Sequence, residues 1–200
     1  MKLFVSFVPS NRQRKGEEKV EQMKLIKKAK SGNPEAFEAL LMLYSDQLYR
    51  TAFMYAGNRE DALDIVQETS FKAYVAIKTL KKNKYFSTWL TRILINSAYE
   101  FLRKKKKYIS LESDEHIISQ REEFTVEQID LLRAINSLKK SYRDAIILFY
   151  YQDLSIKEIA KVMDSPENTV KTYLRRGKEQ LKNQLKGAGY DERQILSESF

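Results

Sequence analysis

Apolar residues recur three and four positions apart over most of the chain, and the places where that recurrence stops predict the helix ends. A first periodic segment opens at Met23-Lys24-Leu25-Ile26. Asn33-Pro34-Glu35 then reads as an N-cap, a proline at the first helical position and an acid in the first turn. The stripe Phe37, Leu40, Leu41, Tyr44, Leu48, Ala52, Tyr55 follows and ends at Gly57, a residue suited to terminating a helix. Asn58 is placed to cap a second helix with Ala62, Ile65, Val66, Thr69, Ala73, Ile77 and Leu80 on one face. Ser87 is placed to cap a third, with Trp89, Leu90, Ile93, Leu94, Ala98, Phe101 and Leu102 inward; Trp89 reads as core rather than as an exposed ring.

From Tyr108 to about Thr125 the periodicity fails, and it returns with Val126, Ile129, Leu132 and Ile135. A helix ending near Leu138, a second at about 141–151, a short third from Ser155 and a long fourth from Pro166 to about Lys186 complete the pattern. The reading is an all-α chain of two small helical domains joined by a flexible linker: a disordered leader at 1–22, a domain at 23–107, an acidic linker at 108–125, a domain at 126–187 and a tail at 188–200. For the leader a second reading stands, in which translation starts at Met23. Met1 to Pro9 has one basic residue and a short apolar run, but no small-residue cleavage site follows, which disfavours a secretory signal.

Composition agrees with helices: 6 Gly and 3 Pro among 200 residues, with 42% hydrophobic and 32% charged, disfavour turn-rich sheet. With no Cys and a single His, His116 in the linker, disulfides and thiolate or paired-imidazole zinc sites are excluded. No cofactor is expected. No apolar stretch approaches the roughly 20 residues that span a bilayer, so no membrane insertion is expected. The net charge of +9 is placed rather than spread: residues 1–30 sum to +6, 31–80 to −3, 81–110 to +8, 111–132 to −6, 133–187 to +6 and 188–200 to −2. Two basic blocks on either side of an acidic stretch suit two polyanion-binding modules.

In the carboxy-terminal half, Ser155-Ile156-Lys157-Glu158 is a capping box. Asp164 tolerates a left-handed turn, and Ser165-Pro166-Glu167 starts the next helix. This is helix-turn-helix spacing. With Val170, Leu174, Gly177, Leu181 and Leu185 inward, Asn168, Lys171, Thr172 and Arg175 align on the outer face, where a recognition helix meets bases and phosphates. In the amino-terminal half, Lys81, Lys82, Asn83, Lys84, Tyr85 and Phe86 mix cations with aromatic rings, which suits single-stranded DNA. Asp61, Asp64 and Glu68 share a helix face with Gln67 beside them. Taken alone, that face is a solvated acidic surface. No nucleophile with a positioned base and no Gly-rich phosphate loop accompanies it, so no enzyme is expected.

Across residues 23–186 the chain resembles the sigma subunits of bacterial RNA polymerase, of the short extracytoplasmic-function (ECF) type. Asp61-Ala62-Leu63-Asp64-Ile65-Val66-Gln67-Glu68-Thr69 and Phe86-Ser87-Thr88-Trp89-Leu90-Thr91-Arg92 look like the core-binding and promoter-melting helices of sigma domain 2. Tyr142-Arg143-Asp144-Ala145, Glu158-Ile159-Ala160 and Asn168-Thr169-Val170-Lys171-Thr172-Tyr173-Leu174-Arg175-Arg176-Gly177 look like sigma domain 4. Asp164 stands where the family usually has Gly, Thr172 where Ser is common and Gly177 where Ala is usual.

The resemblance implies a cytoplasmic initiation factor, in a stress or envelope response, that binds core RNA polymerase and recognises the −35 and −10 elements of promoter DNA. Asp61, Asp64, Gln67 and Glu68 would dock on the β′ clamp coiled coil. Lys81 to Phe86, with Arg92, Asn96, Tyr99, Arg103 and Lys104, would hold the unpaired −10 strand, and Lys104 to Lys107 would contact phosphates. Asn168, Thr169, Lys171, Thr172 and Arg175 would read the −35 element, with Arg176 and Lys178 on phosphates. Lys139, Lys140, Arg143 and the Phe149-Tyr150-Tyr151 segment would meet the β flap, although those aromatics suit a core equally. A membrane-linked anti-sigma factor is the implied regulator. The alternative is a stand-alone helix-turn-helix regulator, which leaves residues 61–104 without a purpose.

Overall fold

Bases favour helix C-termini, and Lys27, Lys28 and Lys30 close the first helix, α1 (Glu17–Lys30), in the computed structural model, which describes residues 17–109 and 126–187. The helix therefore begins ahead of Met23, inside the segment read as leader. The rest of that leader, the linker from Ser110 with His116, and the tail from 188 lie outside the described residues.

Local signals set the next boundaries. The Asn33 side chain accepts from the Ala36 amide at 2.7 Å, and Pro34 opens α2 (Pro34–Ala56). Gly57 ends it at φ 78°, donating to the Phe53 carbonyl at 2.8 Å. Asn58 caps α3 (Arg59–Ala76). Leu80 was not reached by this helix: a 3-10 turn at Ile77–Thr79 follows, then a second at Asn83–Tyr85. That second turn runs straight into α4 (Phe86–Ile109), with Phe86 already helical, so Ser87 is not its cap. Phe86, Ile26, Leu40, Ile65, Leu90 and Leu94 form the fully buried centre of this unit.

The second unit comprises α5 (Val126–Ser137), α6 (Lys140–Tyr150), α7 (Ile156–Val162) and α8 (Glu167–Gly187). Ile135, Ile146, Ile147, Leu148, Ile159 and Val170 are its fully buried residues, and α8 packs on α5, α6 and α7. The chain divides into these two compact units. All regular structure among the described residues is helical.

Candidate nucleic-acid interface

The α7–α8 pair is held by the capping chemistry its sequence carries. The Glu158 carboxylate accepts from the Ser155 amide at 3.0 Å and from the Ser155 hydroxyl at 2.6 Å, and the Ser155 oxygen accepts from the Glu158 amide at 3.3 Å. Asp164 takes φ 50°, the left-handed conformation that explains why glycine suits this position. Val170, Leu174, Gly177, Leu181 and Leu185 point inward as their spacing predicts. At Gly177 the backbone of α8 comes so close to α6 that an added Cβ would lie 3.0 Å from Cγ1 of Ile146.

On the other side of α8, Asn168, Lys171, Arg175 and Arg176 are exposed, whereas Thr169, Thr172 and Lys178 are half-buried. The Thr172 hydroxyl donates to the Asn168 carbonyl at 3.0 Å. Arg175 lies 3.7 Å from the Glu179 carboxylate, both side chains being largely in solvent, so the contact holds it weakly. Arg176 donates to the Tyr142 hydroxyl at 3.5 Å, which favours its charged form. Burial pushes the Lys178 ammonium below the ordinary lysine range. Lys139 and Lys140 are exposed, while Arg143 donates to the Asn136 side chain at 3.3 Å. Burial pushes the Tyr150 and Tyr151 hydroxyls up, and Phe149 meets Tyr150 edge-on, so these aromatics belong largely to the packing of their own unit.

In the first unit Lys81, Lys82 and Lys84 stand exposed around the turn before α4, with Asn83 and Tyr85 half-buried and the Lys84 ammonium 5.2 Å from the Tyr85 ring. Phe86 departs from the expectation. It is 1% exposed and packed against Tyr44 and Trp89, leaving no free face on which a base could stack. Trp89 is half-buried rather than core. Along α4, Arg92, Asn96, Arg103 and Lys104 face outward, and Tyr99 is half-buried against Tyr55.

The acidic face of α3 also divides. Asp64, Gln67 and Glu68 are exposed, but Asp61 turns inward, its side chain only 13% exposed. Its carboxylate accepts from Lys105 at 2.5 Å and from the Asn58 amide side chain at 2.8 Å. Glu68 pairs with Lys72 at 3.2 Å, and Lys72 also donates to Glu100 of α4 at 2.6 Å. Burial works against the Lys72 charge, but the hydrogen bonds to Glu100 and Glu68 outweigh it and hold the ammonium above the ordinary lysine range. The same contact holds Glu100 below the usual carboxylate range. Sequence reasoning missed the exposed apolar side chains that accompany this face, Leu63, Phe71, Tyr74 and Val75. Their signal was spacing: Phe71 and Val75 continue the Asp64, Gln67 and Glu68 stripe at helical intervals. Among the described residues no group of three or more acidic or imidazole side chains is arranged to hold a metal, and no helix is long and apolar enough to cross a membrane.

Residues 40–108 match the family described as Sigma-70 region 2, and residues 128–181 match Sigma-70, region 4. The ECF RNA polymerase sigma factor SigW of Bacillus subtilis is 34% identical over 179 residues, covering 82% of this chain and 96% of the relative. RNA polymerase sigma factor SigV of the same organism is 38% identical over 144 residues, covering 71% and 86%. Among solved structures, CnrH in complex with the cytosolic domain of CnrY has the same fold, with a TM-score of 0.66 at 21% identity over 84% of this chain and 98% of that one. The sigma factor RpoE in complex with the anti-sigma factor NepR from Bartonella quintana has a TM-score of 0.63 at 25% identity, covering 75% and 96%. With a region 2 unit bearing the basic turn and a region 4 unit bearing the helix-turn-helix, the chain belongs to the sigma-70 family as a sigma factor of the ECF type.

Proposed function

We propose that this sigma factor divides its work between surfaces as follows. Asp64, Gln67 and Glu68 on α3 dock on the β′ clamp coiled coil of core RNA polymerase, and Asp61 supports them from within. Lys81, Lys82, Lys84 and Tyr85, with Arg92, Asn96, Tyr99, Arg103 and Lys104, take the unpaired −10 strand. Asn168, Lys171, Thr172 and Arg175 face the −35 base edges, with Thr169, Arg176 and Lys178 beside the phosphates. Lys139 and Lys140 meet the β flap. The protein acts in the cytoplasm, catalyses no reaction of its own, and is held by an anti-sigma factor, as the RpoE–NepR complex suggests.

The observation that carries this reading is the exposure pattern of α8. Lys171 and Arg175 are exposed in its amino-terminal half, opposite the buried Val170–Leu174 stripe, as a recognition helix requires. The test is size-exclusion binding to purified bacterial core polymerase, followed by run-off transcription from a genomic promoter library. Co-elution with promoter-specific transcripts is expected, and Asp64→Lys with Glu68→Lys should abolish co-elution while the helical signal is kept. Binding to duplex DNA without binding to core polymerase would overturn the reading.

A further inference from the structure

Lys30 sits at the last turn of α1, fifty residues ahead of the segment it touches. Its ammonium donates to the Leu80 carbonyl at 2.6 Å and to Oδ1 of Asn83 at 3.3 Å, so one side chain ties together the stretch between the two 3-10 turns. Within that stretch the Leu80 amide reaches Ile77 at 3.2 Å, the Tyr85 amide reaches Lys82 at 3.0 Å and the Phe86 amide reaches Asn83. Lys81, Lys82 and Lys84 project from it and repel one another. Neither acceptor carries a charge, so these two bonds do not offset the positive field of the loop. The remainder of α1 is fixed independently, with Ile26 and Ala29 buried and Gln22 bonded to the Tyr44 hydroxyl, beside the Phe86 ring. The helix therefore braces the loop at both ends.

We propose that Lys30 is a positioning residue for strand capture, which makes α1 part of the promoter-melting apparatus. The inference rests on the reading of Lys81 to Tyr85 as a −10 contact. A loop already closed by Lys30 loses less conformational freedom when the unpaired strand arrives, and that saving appears as affinity and as discrimination between bases.

The test uses the full chain reconstituted with core polymerase and a promoter recovered from the run-off library. The probes are its single-stranded non-template −10 oligonucleotide, matched and mismatched at each −10 base, and the intact duplex. The variants are Lys30→Met, Lys30→Arg and, as a loop reference, Lys82→Ala with Lys84→Ala. Lys30→Met should weaken oligonucleotide binding by roughly tenfold, the size of one hydrogen bond to a charged group. It should also narrow the matched-to-mismatched ratio, while affinity for core polymerase is kept. Lys30→Arg should restore most of both. If the loop reference loses strand binding while Lys30→Met retains affinity and base preference, the positioning role is overturned and the loop reading stands. If the loop reference itself loses nothing, the loop reading fails first. A Lys30→Met defect confined to core affinity, with base preference intact, would reduce Lys30 to a structural residue and overturn the proposal.

Discussion

At the scale of single residues, Gly177 is the position where chemistry is most tightly constrained. Alanine there gains about 1 kcal/mol in helix propensity, but its Cβ would press on Ile146, which is fully buried and has little room to move. Overpacking of this kind costs about 1–3 kcal/mol. Gly177→Ala is therefore expected to lower stability slightly, read as a fall in the urea midpoint at unchanged m-value. Ile146→Val should cost less in that background than in the parent. A rise in the midpoint would mean that α6 and α8 can separate freely. This departure from the family's usual alanine was visible in the sequence, but its meaning was not. Only the approach of α6 gives the missing methyl a physical reason.

At the scale of elements, helix starts and stops were legible where the signal is local. Asn33, Gly57, Asn58, Asp164 and the Ser155–Glu158 box all act within a few residues of themselves, and each does what its spacing predicts. What was illegible depends on partners distant in the chain. Ser87 has the right chemistry for a cap but lies one residue inside α4, because a 3-10 turn feeds that helix. Phe86 and Asp61 neighbour in sequence the residues proposed to face DNA or to dock, yet the fold withdraws both. Asp61 is claimed by Lys105, 44 residues on, and that pair joins the start of α3 to the end of α4. Lys105→Met should destabilise the first unit by about 1–2 kcal/mol, less than a fully buried pair because Lys105 is 40% exposed. Asp61→Asn in the same chain should recover most of the loss. Thermal unfolding of the two variants checks this, and an unaffected Lys105→Met would mean that Asn58 alone suffices for Asp61.

At the scale of the whole molecule, charge placement connects sequence with activity more directly than any one contact does. The +8 of residues 81–110 collects on the loop and the tail of α4. Lys104, Lys106 and Lys107 are exposed there, whereas Lys105 is spent on Asp61. Replacing those three by Gln should reduce the slope of log affinity against log salt by about 2–3 for holoenzyme on promoter DNA, while the ranking of promoters is unchanged. A changed ranking would assign base recognition to the tail. The acidic face of α3 behaves differently, because Glu68 already has a counter-ion. Lys72 bridges it to Glu100, so any basic side chain arriving at Glu68 displaces an existing ion pair instead of creating one. On the proposed reading, docking at Glu68 is an exchange of one cation for another. A surface used in that way would favour a partner whose geometry improves on that of Lys72 over a loosely held polycation.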